Sequence, residues 1–186
     1  MTLPESEPHD DGPSDSVLIE RWRAGDERAA TALVERHAPA LARFAASFGE
    51  REEVEELVQD TFVRAFASLE GFRGESSLRT WLFTILRRLL VDRRRARKRR
   101  GGRVEIREGD AATEYDPLDG MLADETEQRM REAITRLSPT QREVFTLRVA
   151  EGLSYKEIAE VAGTTEGAAR VHYHNAMRAV KEFLNG

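Results

Sequence analysis

From Val17 to about Lys98 the apolar residues recur at three- and four-residue steps, the spacing of helices with one buried face. Val17, Leu18 and Trp22 open the series, and Leu33, Val34, His37, Leu41, Phe44 and Phe48 continue it. Val54, Leu57, Val58, Phe62, Val63, Phe66 and Leu69 form the next stripe, and Leu78, Trp81, Leu82, Ile85 and Leu89 a third. The breaks fall at Gly25-Asp26, at Gly49-Glu50 and across Gly71–Ser77. The pattern predicts a helical bundle with these stripes as its core.

The periodicity stops at Gly101-Gly102. Residues 101–124 mix Gly, Pro, Asp and Glu without sustained spacing, which reads as a solvated, flexible acidic linker. A second helical body begins near Glu125 and runs to the end of the chain. Ser138-Pro139-Thr140-Gln141 marks a helix start in it: Ser caps, Pro takes the first helical position, and Gln returns to the cap amide. Ser154-Tyr155-Lys156-Glu157 repeats that spacing. The expected fold is all-α, with a tail over 1–15, one helical domain over 16–100, the linker over 101–124 and a second helical domain over 125–186.

Charge and composition narrow the classes. The 186 residues carry 29 Lys plus Arg against 34 Asp plus Glu, and no cysteine, which excludes disulfides, thiol catalysis and cysteine-ligated zinc. No apolar run reaches the roughly 18 residues of a membrane span, and the acidic start is unlike a signal peptide, so a cytoplasmic protein is expected. The net charge of −5 conceals segregation. Met1–Asp15 has five acids and no Lys or Arg; Arg87–Arg103 has ten bases against Asp92; Val104–Glu127 has nine acids against Arg107. A basic block on an acidic chain is either a solvated helix face or the footprint of a polyanion.

The second body carries a motif. Ser154 to about Ala162 reads as a short helix, Gly163-Thr164-Thr165 as a tight turn, and Glu166–Leu184 as a longer helix capped by Thr165. This is a helix-turn-helix or a purely structural hairpin. In the former, the start of the second helix enters the major groove, offering Glu166, Arg170, His172 and His174, with Arg178 placed for a phosphate. In the first body, Phe72 to Leu82 is a polar loop feeding a helix. Its hydroxyls, Trp81 and the arginines beyond it suit an unstacked base and a held backbone, although the Trp81 ring also fits a core position. Each phosphate contact made by the Arg run would add a salt slope near −0.9 on duplex DNA or about −0.7 on a single strand. Metal chemistry finds no support, because His172 and His174 stand about 200° apart around a helix, His9 lies in the acidic tail and His37 in a core stripe. No nucleophile or Gly-rich phosphate loop accompanies the acids, so neither an enzyme nor a cofactor is expected.

Glu56-Leu57-Val58-Gln59-Asp60-Thr61-Phe62-Val63-Arg64-Ala65-Phe66, the Phe72–Leu82 stretch, and Leu137-Ser138-Pro139 through Glu151-Gly152-Leu153-Ser154-Tyr155-Lys156-Glu157-Ile158-Ala159 resemble bacterial RNA polymerase sigma factors of the two-domain extracytoplasmic-function (ECF) group. The resemblance covers roughly Val17–Arg100 and Glu125–Leu184. It implies a region-two domain that binds the polymerase clamp helices and melts and reads the minus-ten element. A region-four domain would read the minus-thirty-five element and touch the polymerase flap. Carried over onto this chain, Leu57, Gln59, Asp60, Phe62 and Val63 would bind core polymerase, the two polar residues foremost. Arg73, Ser76, Ser77, Arg79, Thr80, Trp81, Thr84, Arg87, Arg88, Arg93 and Arg94 would serve the minus-ten strand. Thr165, Glu166, Arg170, His172, His174 and Arg178 would serve the minus-thirty-five duplex. An anti-sigma factor is an implied partner alongside core polymerase and promoter DNA. The chain departs from the family where Arg88 replaces a frequent Asn, in Ala168-Ala169-Arg170-Val171-His172 after the glycine, and at Asn175 where Arg is frequent. A promoter preference is therefore not inherited. The competing reading is a dimeric helix-turn-helix regulator that works without polymerase.

Overall fold

A computed structural model of the chain describes residues 12–49, 53–100 and 125–186. Residues 1–11 of the predicted acidic tail, with His9, and the predicted linker at 101–124 lie outside the described residues. Within the described residues all regular structure is helical: α1 (Asp15–Arg23), α2 (Glu27–Ser47), α3 (Val54–Ser68), α4 (Leu78–Arg100), α5 (Glu125–Thr135), α6 (Pro139–Phe145), α7 (Tyr155–Ala162) and α8 (Glu166–Asn185). A short 3₁₀ turn, Leu69–Gly71, closes α3, and a π-helical turn, Thr146–Ala150, extends α6. The chain packs as two compact units, one ending at His37 and the other running from Ala38 to Gly186.

In the first unit, Ser14 is extended and its side chain accepts from the Val17 amide, so α1 begins at Asp15. The charge pattern groups Asp15 with the acidic tail, but the structure gives it a fixed place. Arg36 Nη1 and His37 Nε2 each donate to one of its carboxylate oxygens at 2.8 Å. His37 is buried and is satisfied by this acid, which accounts for a histidine in an apolar stripe. Between α1 and α2, Gly25 takes φ 90°, which a residue with a Cβ rarely adopts, and Arg21 bonds Asp26 across the turn.

The second unit holds the rest of α2 and α3–α8. Phe44, Leu57, Leu82, Phe83, Leu86 and Leu90 are essentially without exposure, and the Phe44 and Phe83 rings meet edge to face at 5.2 Å. Most positions of the predicted stripes are thus core, whereas Val17 and Val63 are exposed, and α3 lies against α4. Around α8, the helices α5, α6 and α7 enclose a second core of Ala133, Leu137, Phe145, Ala176 and Val180. Both predicted capping boxes form. Ser138 and Gln141 exchange bonds at the start of α6, and Ser154 and Glu157 at the start of α7.

Burial pushes the Asp15 carboxyl up, but the hydrogen bonds and charges of His37 and Arg36 outweigh it and hold the group below its ordinary value of 3.8. Its contribution is therefore fully present above that value and lost only as pH falls through the lowered one. Asp15→Asn should cost roughly 1–3 kcal/mol at neutral pH. The difference from wild type in urea denaturation should shrink as pH falls below the ordinary carboxylate value and vanish only below the lowered one.

Candidate nucleic-acid interface

The second body builds the predicted helix-turn-helix. Glu157 caps α7 by accepting from the Ser154 amide at 2.8 Å and from its hydroxyl at 2.7 Å. Gly163 ends α7 in the left-handed region at φ 63°, ψ 41°, and the Thr165 hydroxyl accepts from the Ala168 amide at 3.2 Å to start α8. Ile158, Ala159 and Val161 face inward from α7, and Ala169, Ala176 and Val180 from α8. Small residues at 169 and 176 let α8 approach its neighbours closely.

This arrangement exposes Thr165, Glu166, Arg170, His174 and Arg178, whereas His172 is half-buried on the flank of α8. Arg170 lies over the Tyr155 ring, 4.5 Å from its centroid, and Arg148 approaches the same ring at 4.9 Å. Two cations thus flank the recognition helix on an aromatic platform. Arg178 reaches back to Asn175 at 3.4 Å.

In the first body the candidates divide. Leu57 and Phe62 are buried, Leu57 completely, so they belong to the core. Side chains two and six residues beyond Leu57 point away from the core, and one three residues beyond it lies on the flank. Gln59 and Val63 are accordingly exposed on α3, and Asp60 partly so. Arg73, Ser77, Arg88 and Arg94 are exposed, while Ser76 and Thr84 are half-buried. Trp81 is also half-buried, its ring 4.9 Å from Phe72. It is neither pure core nor a free platform. Arg93 is occupied by acids of its own body: it bonds Glu53 and Glu56, and Asp60 lies at 3.7 Å. It positions α4 against α3.

The rest of the predicted minus-ten set faces the second body. Arg79 donates to Glu151 Oε2 at 2.6 Å, and Arg43 grips both oxygens of the same carboxylate at 3.1 Å. The Glu151 side chain has no exposure at all. Thr80, also fully buried, donates to Glu157 Oε1 at 2.9 Å, and Arg87 Nε bonds Glu143. Burial pushes the Glu143 carboxyl up against the pull of Arg87. For Glu157 burial also raises the value, but the Ser154 and Thr80 hydrogen bonds and the Arg79 charge prevail and hold it low. Sequence reasoning misses Arg43, Glu143 and Glu151. Their one signal is a charge set inside or beside an apolar run, which periodicity alone cannot pair with a distant partner.

Among the described residues no group of His, Asp and Glu side chains is arranged to hold a metal ion, and no helix is long and apolar enough to cross a membrane. A basic helical body and a helix-turn-helix body in one chain define a DNA-reading protein of the transcription apparatus. The Sigma-70 region 2 family matches residues 33–100, and the Sigma-70, region 4 family residues 127–180. The chain is 32% identical to the ECF RNA polymerase sigma-E factor of Haemophilus influenzae, over 90% of this chain and 94% of that one. It is also 32% identical to the RNA polymerase sigma-H factor of Pseudomonas aeruginosa, over 91% and 93%. The fold is similar to the sigma factor RpoE solved in complex with the anti-sigma factor NepR from Bartonella quintana. That likeness has a TM-score of 0.66 at 32% identity, over 86% of this chain and 97% of that one. CnrH, solved in complex with the cytosolic domain of CnrY, gives a TM-score of 0.65 at 29% identity, over 92% and 97%. The chain belongs to the ECF RNA polymerase sigma factors. As such it is a transcription-initiation factor and not an enzyme.

Ser154→Ala removes the hydroxyl that caps α7 and orients Glu157. It should cost about 1 kcal/mol in thermal or urea denaturation, whereas Thr164→Ala, exposed in the turn, should change stability by less than about half of that.

Proposed function

We propose that this chain lends promoter selectivity to core RNA polymerase by reading two elements with two domains, 16–100 and 125–186. The observation that carries the reading is the outward edge of α8, where Arg170 and its neighbours leave a capped, rigid turn. Thr165, Glu166, Arg170, His172, His174 and Arg178 then meet the minus-thirty-five duplex, Arg170 being suited to a guanine edge and Arg178 to a phosphate. The loop Arg73–Ser77, with Arg79, Thr80, Trp81, Thr84, Arg87, Arg88 and Arg94, serves the minus-ten strand. Only the half-exposed outer part of the Phe72–Trp81 ring pair is left for an unpaired base to stack on. Gln59, Asp60 and Val63 form the part of α3 available to the polymerase clamp helices, and the second domain touches the flap. Two readers on one polymerase surface gain effective concentration, so each can bind weakly alone.

An anti-sigma factor is the regulator we infer. Support comes from the two similar sigma factors solved with such partners, RpoE with NepR and CnrH with CnrY. The site of action is the cytoplasm, where polymerase and promoter are found.

The test is in-vitro transcription with purified core polymerase on a pooled library of promoter fragments. Defined start sites that require the protein, with shared sequence at both elements, are the expected result. No new transcripts, together with specific duplex binding by the protein alone as a dimer on a palindrome, would replace this reading with that of a stand-alone regulator.

A further inference from the structure

The outward stripe of α8 consists of Gly167, Arg170, Val171, His174 and Arg178. Two of these are not what the fold asks for. Val171 is 58% exposed, and an exposed β-branched residue gains no packing while lowering helix propensity. Gly167 stands one turn earlier on the same face. A Cβ there would meet only Thr165 Oγ1, at 4.0 Å, so the fold has room for a side chain that the sequence withholds. A missing side chain followed one turn later by an apolar one makes a shallow notch with an apolar floor. Arg170 is held beside it, over Tyr155 and 3.9 Å from Glu166, so Val171 keeps the centre of the face. The apolar feature that the major groove offers is the thymine C5-methyl group.

We propose that Val171 reads a thymine of the minus-thirty-five element through its C5-methyl, with Gly167 letting the first turn of α8 approach the groove floor. The proposal rests on the promoter-reading function above. Its test uses holoenzyme assembled from core polymerase and the full chain, on promoters mapped by transcription. Deoxyuridine replaces thymidine at one minus-thirty-five position at a time, removing only the methyl. Wild type should lose about three- to fivefold in binding at one position, and Val171→Ala, whose shorter side chain buries less of the methyl, should lose clearly less there. Gly167→Ala should raise the melting temperature of the free protein while weakening minus-thirty-five binding. A wild type that selects a minus-thirty-five sequence yet ignores the methyl at every thymine would overturn the proposal, as would Val171→Ala with undiminished sensitivity. Absence of any mapped start site would overturn the promoter-reading function itself.

Discussion

A carboxylate withdrawn completely from water governs how the second unit is arranged. Moving such a group into the protein costs several kcal/mol, and it is tolerated only where cations and hydrogen bonds meet both of its oxygens. Glu151 satisfies that condition with Arg43 from α2 and Arg79 from α4. The π-helical turn just before it is what brings the acid to that point, with Leu147 fully buried beneath. Glu143 repeats the logic with Arg87, and Glu157 with Thr80. Three acids from one body thus take up polar groups along the first turns of α4.

Such contacts are specific without being strongly stabilising. The gain of each ion pair is largely offset by the desolvation of its members, whereas removal of one member leaves an uncompensated charge. An arrangement of this kind is well defined but separable, provided that water or another anion receives the arginines. DNA phosphate is such an anion.

The recognition helix obeys a different constraint. α8 is held by apolar contacts with α5, α6 and α7, and its outer edge is excused from any packing role. Cap bonds from Thr165 and Ser154 fix where α8 begins relative to α7. The side chains on that outer edge are thereby displayed on a rigid support. The departures at Ala168–His172 and Asn175 lie on this helix and do not disturb its core.

Local and periodic features are legible in the order of residues alone: the helices, their glycine and serine-proline punctuation, both capping boxes, the helix-turn-helix and the family. Hydrophobic spacing and cap chemistry act over a few residues and so leave a direct trace in the succession of residue types. His37 in an apolar stripe is legible as a packed histidine, but its partner Asp15, grouped by charge with the tail, is not. Dividing the α3 candidates into buried Leu57 and Phe62, exposed Gln59 and Val63 and half-exposed Asp60 needs the helix placed against α4. The pairing of Arg43, Arg79 and Arg87 with Glu151 and Glu143 belongs wholly to the tertiary arrangement. Those partners lie 56 to 108 residues apart, and an ion pair at that separation depends on which surfaces meet, for which linear order carries no signal.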